Sequence, residues 1–262
     1  MGRRLAKHTV RHGRTENMKP SIFAIAFSAL TLCAGLQGAL ASPSLPPEAG
    51  VGRVVIDRAE SEGRPNFGVD VDLQIVGSTS SQVSVHQTML HGNAAWLHAK
   101  IVQNGTTVHV TPVYDGPQGH GIASWLHFGP MLHVRWRIQV PRSATVEANT
   151  SNGDIHIDDV SGNLRLRTSN GEIAASNVGS QVDAATSNGS VHIALGHVGT
   201  APQIRVRSSN GNIHIRVPKD FNTHVNASTS NGSIENPFKG ASGPGSVRLS
   251  TSNGSVIVSR PP

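Results

Sequence analysis

The sequence contains a single cysteine and few aromatic residues. The cysteine, Cys33, lies in an apolar segment near the N-terminus, so the rest of the 262-residue chain cannot be held together by disulfides. Aromatic residues make up only 4% of the chain, which excludes a core built around large rings. No helical period of useful length follows residue 41, which argues against an α-helical fold. Stability must therefore come from backbone pairing and from burial of small aliphatic side chains.

The first 41 residues are typical of a removable export segment. Residues 18–41 combine a positive start, an apolar stretch and an Ala-Leu-Ala cleavage site at 39–41, which predicts a signal peptide. Residues 1–17 precede a second methionine and are either a leader or a start assigned too far upstream; residues 42–50 form a linker. The apolar stretch is short and interrupted by polar residues, which disfavours a retained anchor. We expect a protein of the periplasm, the cell surface or the medium, with no transmembrane segment after cleavage.

Without the export segment, the basic excess nearly disappears. Residues 1–41 contain six of the 22 Lys and Arg and one of the 16 Asp and Glu, so the net charge falls from +6 to +1. A basic footprint is the first requirement for nucleic-acid binding, and we therefore expect no nucleic-acid partner.

Six copies of the tetrapeptide [TS]-S-N-G organise the second half of the chain. Their glycines are 18, 18, 22, 21 and 22 residues apart. With each glycine taken as position zero, positions −7 and −5 are always apolar and position +2 is always Ile or Val, which predicts two strands per copy, each with one buried face. A period near twenty with two short strands indicates a stacked repeat protein, so residues 142–260 are predicted to form regular rungs.

The Asn-Gly step between the two strands has two local interpretations. It is a strong hairpin signal, because both residues tolerate positive φ. The recurrence of one register favours instead a solenoid corner, at which the asparagine amides bond from rung to rung. Position −6 carries no like charges on copies that follow each other in sequence, which predicts cross-strand pairs that help to fix the register. The predicted corner ladder consists of Asn152, Asn170, Asn188, Asn210, Asn231 and Asn253.

Residues 51–141 alternate less regularly and are predicted to be degenerate rungs or a capping sheet. Trp136 alternates with aliphatic residues and is predicted to be core. The expected fold is all-β: a right-handed β-solenoid of stacked two-strand rungs, each about 18–22 residues long, with a less regular N-terminal β region.

The stretch from Arg137 to Gly162 carries a family resemblance. It contains a strand that leads into Pro141, a strand-Asn-Gly-strand unit at 146–157 and a Val-Ser-Gly turn at 160–162. The chain resembles, over residues 51–259, the bacterial "putative adhesin" or toast-rack β-strand-repeat envelope proteins, a domain of unknown function. The resemblance implies a β-solenoid in the cell envelope and offers no catalytic residue to transfer.

Histidine is the abundant reactive residue type, and 12 of the 14 follow residue 41. The outward position +3 carries His192, His214 and Glu235 in three successive copies. On adjacent rungs these side chains could converge on one Zn²⁺ or a similar ion. A solvated polar stripe explains them as well, and no residue that would orient such ligands is evident. We therefore assign no metal and no cofactor.

Two pairs of carboxylates raise the possibility of an enzyme. Asp70 and Asp72 share a strand face, whereas the adjacent Asp158 and Asp159 point to opposite faces unless a turn intervenes. Such pairs would suit a carbohydrate-active β-helix enzyme, but nothing else marks a catalytic site, and we expect no enzymatic activity.

Three large apolar residues could stack on glycans, but their preference for burial favours a role in capping the solenoid. These are Trp96, Trp125 and Phe128.

The function predicted from the sequence is a secreted cell-envelope protein that acts as a non-enzymatic binding, adhesion or structural scaffold. Its partner would be another envelope protein, a surface glycan or another surface polymer. The two alternatives are an envelope metal-binding protein that uses the histidine stripe and the carbohydrate-active enzyme.

Overall fold

A computed structural model describes residues 50–57, 69–115, 132–196 and 198–261. The predicted leader, the signal peptide, residues 42–49 of the linker, Trp125 and Phe128 lie outside these ranges. Across the described ranges, no helix is both long enough and apolar enough to span a bilayer.

The described residues form strands almost throughout, because apolar and polar side chains alternate along nearly every segment. One short 3-10 turn, Ala94–Trp96, interrupts them. The strands are β1 (Arg53–Ile56), β2 (Val69–Ser78), β3 (Ser84–His91), β4 (Leu97–Asn104), β5 (Thr107–Tyr114), β6 (Leu132–Pro141), β7 (Thr145–Asn149), β8 (Ile155–Asp158), β9 (Leu164–Arg167), β10 (Ile173–Val178), β11 (Gln181–Ala185), β12 (Val191–Leu195), β13 (Gln203–Asn210), β14 (Ile213–Arg216), β15 (Thr223–Asn231), β16 (Ile234–Glu235), β17 (Gly243–Asn253) and β18 (Val256–Ser259).

These strands make two open sheets of nine strands each, with one core cluster of Val, Ile, Leu and Ala between them. The first sheet has the order β4-β5-β1-β7-β9-β11-β13-β17-β15, and the second has the order β3-β6-β2-β8-β10-β12-β14-β18-β16. One strand from each sheet makes a rung, and the rungs pair in parallel except at one edge. The all-β, solenoid-like fold is thus confirmed; its right-handedness and rung length stay predictions.

The Asn-Gly step is a corner between the sheets. The strands before and after it, such as β7 and β8, belong to different sheets, so the hairpin interpretation is wrong. The residue at position −3 is nearly buried and its hydroxyl is bonded: Thr168 Oγ1 donates to Gly153 O over 3.1 Å, and Ser208 Oγ donates to Gly189 O over 2.9 Å. Thr or Ser recurs there because a buried backbone carbonyl needs a donor.

The order of the rungs differs from the order of the repeats at the C-terminal end. The rung β17/β18 lies between β13/β14 and β15/β16, so the expectation that the six copies stack in sequence order is wrong for the last two. The fifth copy is the less apolar one: Ile234 is 42% exposed, and Asn236 occupies a position that is apolar in the other copies. Placed at the end of the stack, this copy leaves fewer apolar groups exposed than the sixth copy would, because Val256 and Val258 of the latter are fully covered.

The described N-terminal region contains parallel rungs and an antiparallel end. The rungs β1/β2 and β5/β6 are parallel, with β1/β2 inserted between β5/β6 and β7/β8, whereas β3 and β4 close that end as antiparallel edge strands. Trp136 is fully buried, as predicted, and its Nε1 donates a 3.0 Å hydrogen bond to Gln87 Oε1 on the edge strand. Trp96 packs against the core at the same end, partly buried.

Candidate functional site

The corner asparagines form one continuous ladder of side-chain amide bonds 2.8–2.9 Å long. Except at Asn152, each Nδ2 donates to the Oδ1 of the neighbouring rung, so every interior amide donates one ladder bond and accepts one. The donor-to-acceptor pairs are Asn170 to Asn152, Asn188 to Asn170, Asn210 to Asn188, Asn253 to Asn210 and Asn231 to Asn253. The structure therefore brings all six predicted residues together, but with the last two exchanged. The ladder occupies an exposed edge of the stack, and each interior amide keeps one N–H donor and one oxygen lone pair that the ladder does not use.

The outer face of the second sheet contains an open groove of about 470 Å³. Two alanines, Ala174 and Ala194, form its floor, because their short side chains leave space between longer neighbours on adjacent strands. Cationic and titratable side chains line its walls: Arg137, His156, Asp158, His192, His214 and Arg216.

The three candidate metal ligands do not lie together. His192 and His214 are register partners on β12 and β14, with ring centroids 6.1 Å apart in an edge-on arrangement. The register partner of His214 on the other side is Ile257, and Glu235 lies one strand further away. The predicted adjacency of all three is therefore wrong, because β18 is inserted between β14 and β16. Across the described residues, no group of three or more His, Cys, Asp or Glu is arranged to hold a metal ion.

The groove disfavours additional positive charge. Burial lowers the pKa of His214 below its usual value of 6.5, positive charge on His192 and Arg216 lowers that pKa further, and Glu235 acts in the opposite direction. His214 Nε2 lies 3.0 Å from Ser259 Oγ, which the neutral imidazole can bond as donor or acceptor. The carboxylate beside His192 is Glu172, at 3.9 Å, and not Glu235.

Three of the four candidate catalytic carboxylates make structural contacts. Asp72 Oδ2 lies 3.0 Å from His133 Nε2 and 3.6 Å from an Arg135 guanidinium nitrogen, and Asp72 Oδ1 accepts from a backbone N–H at the corner. Asp158 accepts a 2.6 Å hydrogen bond from Ser176, and Asp159 pairs with Arg142. These contacts hold neighbouring rungs in register.

The outer face of the first sheet is dominated by arginines, a feature that the sequence analysis missed. Arg205 on β13 and Arg248 on β17 are direct register partners, so the expectation that no like charges would be adjacent is wrong. Earlier along the sheet the charges do alternate: Glu147, Arg165 and Asp183 are successive partners. An open groove of about 340 Å³ crosses this region. The sequence does show arginines at the outward alternate positions of these strands. Which of the arginines are neighbours depends on the order of the rungs.

The repeated corner and most of the parallel two-sheet stack lie within a part of the chain that matches a known family. Residues 78–259 match Toastrack DUF4097. The chain belongs to this Toastrack family. No curated protein matches the chain. Among solved structures, the Toastrack chain is similar to a "putative cell adhesion protein" from Clostridium sporogenes ATCC 15579, at 13% identity and with a TM-score of 0.50. That match covers 84% of this chain and 99% of the other, and at this identity it shows a shared fold.

Proposed function

We propose that this Toastrack protein is an exported, non-enzymatic scaffold of the cell envelope that binds a surface polymer along its outer sheet faces. The observation that carries the proposal is the parallel, in-register stacking, which presents one outward side chain per strand at the same level on successive rungs. Neighbouring strands lie about 4.8 Å apart, so the side chains form regular rows. A polymer with repeating groups can engage many of them at once, and many weak contacts in register add up to useful avidity.

Two further observations support a binding role over the alternatives. Three of the four paired acids that would suit a glycosidase, Asp72, Asp158 and Asp159, are bonded to neighbouring rungs. The similar Clostridium structure is that of a "putative cell adhesion protein", which agrees with a role at the cell surface. Export rests on the signal peptide predicted at residues 18–41, and its cleavage would leave Ser42 as the first residue.

The experiment is a binding assay with intact cells. Purified, fluorescently labelled protein is titrated onto cells of the source bacterium before and after periodate oxidation of surface glycans, and before and after protease treatment. We expect saturable binding that periodate abolishes and protease leaves in place. A β-sandwich protein of similar size serves as the control for non-specific adsorption. Absence of saturable binding to any of these cells would overturn the scaffold proposal.

The same material tests the enzymatic alternative. Wall and capsule polymers are incubated with the protein, and newly formed reducing ends are measured over time. We expect none above the buffer control. Release that Asp72→Asn abolishes would replace the scaffold with a carbohydrate-active enzyme, provided that the variant unfolds in the same cooperative transition as the wild type.

A further inference from the structure

Five arginines project outward from three of four neighbouring strands in the first sheet. They occupy two alternate levels of β9, β13 and β17, and β11 contributes the one carboxylate of this region, Asp183. All five are exposed or half-exposed. The arginines are Arg165, Arg167, Arg205, Arg207 and Arg248.

Only one of the five is neutralised within the described part of the chain. Arg167 donates to the Asp183 carboxylate over 2.5 Å and to the Asp183 carbonyl oxygen over 2.8 Å. The other four form neither an ion pair nor a side-chain hydrogen bond with any described residue. Near the other end of the same sheet, Arg53 pairs with Glu147 over 2.6 Å, so pairing is available to this sheet where stability requires it.

The adjacency of Arg205 and Arg248 is unfavourable for folding. Like charges directly opposite each other on neighbouring strands destabilise a sheet. The register partner of Arg205 on its other side is Asp183, but that carboxylate is already paired with Arg167. Their guanidinium groups have unused donors, which match carboxylate and phosphate oxygens bidentately. An anionic ligand would relieve the repulsion and use those donors.

We infer that the outward face of β9, β11, β13 and β17 is a binding site for an acidic polysaccharide, with Arg165, Arg205, Arg207 and Arg248 as the anion-binding residues. This inference rests on the proposed scaffold function and names the class of polymer that it binds. The groove of about 340 Å³ on this face places Arg205 and Arg248 beside Gln181, Gln203 and Ser246, and its remaining charged residue is Asp183, which Arg167 neutralises. The arginines would bind the acidic groups of the polymer, and the glutamine amides and the serine hydroxyl would hydrogen-bond to its sugar hydroxyls.

The composition of this face favours a glycan over the other polyanions. Single-stranded nucleic acids are bound by aromatic stacking platforms, and none of the aromatic residues lies on these four strands. Membrane-surface binding uses exposed apolar side chains beside the cations, but the exposed large apolar residues of the described chain are Leu90, Val102 and Ile234, all on other strands.

The second sheet lacks this charge imbalance. Its outward face carries Arg135, Arg137 and Arg216, but Asp72 contacts Arg135, and Asp158 shares the groove with the other two arginines. The outward faces of the two sheets therefore differ in charge, and an acidic polymer binds the face of the first sheet.

The test measures binding of the purified chain to immobilised polygalacturonate at low ionic strength, with neutral dextran, duplex DNA and phosphatidylglycerol vesicles as comparison ligands. The variant Arg205→Gln/Arg248→Gln removes two charges from the site. The control Lys219→Gln/Lys239→Gln removes two exposed charges from turns outside this face. We expect salt-sensitive binding to polygalacturonate, a loss of about tenfold or more in the first variant, and a change within about twofold in the control.

Each other outcome overturns the inference. Binding to dextran as tight as that to polygalacturonate would show that charge does not determine binding. Tighter binding to DNA or to the vesicles than to polygalacturonate would show that the ligand is a different class of polyanion. Equal losses in both double variants would show an effect of net charge and not of this face. Failure to bind polygalacturonate, with binding to source cells intact in the periodate assay, would overturn the acidic-polymer site and leave the scaffold function standing; failure in both assays would overturn both.

Discussion

The side-chain amide of Asn253 donates a 2.8 Å hydrogen bond to Oδ1 of Asn210, although Asn231 lies between the two residues in the chain. Asn231 in turn donates to Asn253 over 2.8 Å, so it occupies the end of the ladder. The sixth copy of the repeat is thus an interior rung and the fifth copy a terminal one. Because β15 is hydrogen-bonded to β17 alone, the fifth copy is connected to the first sheet through the sixth.

The order of the rungs predicts different losses of stability at two asparagines that occupy the same position in their copies. Asn253→Ala removes two amide bonds, whereas Asn231→Ala removes one. We expect Asn253→Ala to lower the free energy of unfolding by about 0.5–1 kcal/mol more than Asn231→Ala does. Urea unfolding of the two variants side by side measures the difference. A larger loss in Asn231→Ala would show that the copies stack in sequence order.

The corner glycines are required by the close approach of neighbouring rungs. A Cβ on Gly189 would overlap the carbonyl oxygen of Gly171, whereas a Cβ on Gly240 would meet nothing within 4 Å. Because a backbone carbonyl cannot move without breaking the stack, we expect Gly189→Ala to destabilise the protein by about 3 kcal/mol or more. Gly240→Ala is the matched control and should unfold at nearly the wild-type midpoint. Similar midpoints for both variants would contradict the close approach.

Charge reversal at two register positions should have opposite effects on stability. Arg248→Glu places a carboxylate beside Arg205, whereas Arg165→Glu places one between Glu147 and Asp183. We expect Arg248→Glu to raise and Arg165→Glu to lower the free energy of unfolding, each by about 0.2–1 kcal/mol, because both sites are exposed. Added salt should shrink both effects. Effects of the same sign in chemical denaturation at low salt would show that these partners do not interact. Both variants should also bind polygalacturonate less tightly.

The groove histidine predicts a pH dependence of stability. The pKa of His214 is lowered in the folded state relative to its usual 6.5, so the unfolded chain binds the proton more readily. Stability is therefore unaffected by this group well above 6.5 and is lost as the pH falls through 6.5 towards the lowered folded pKa. We expect His214→Gln to lose less stability than the wild type between about pH 7.5 and pH 5.

The matched control for this prediction is His224→Gln. His224 is an exposed residue on β15 of the other sheet. Its variant should follow the wild-type pH dependence of the denaturation midpoint. Parallel curves for the wild type and His214→Gln would show that His214 carries no such linkage.

The local elements could be predicted from the sequence because they depend on patterns repeated within each copy. Alternation around the glycines identified the buried face of each strand, and the Asn-Gly step identified the corner at which the chain passes between sheets. The recurring Thr or Ser at position −3 was visible as a pattern, but its role was not. Only the stack shows that its hydroxyl donates to the carbonyl of a glycine in the preceding rung.

What only the tertiary structure decided is which copies are neighbours. All the copies share one register, so the corner and strand patterns are compatible with any order of stacking. The order of stacking depends on how much apolar surface is buried in total. The copy with Ile234 and Asn236 leaves less apolar surface exposed as the terminal rung, and the copy with Val256 and Val258 is therefore an interior rung. That order separates Glu235 from His214 and brings Arg205 beside Arg248. The sequence by itself therefore determined the rungs, and the packing of whole rungs determined the surfaces that a partner would meet.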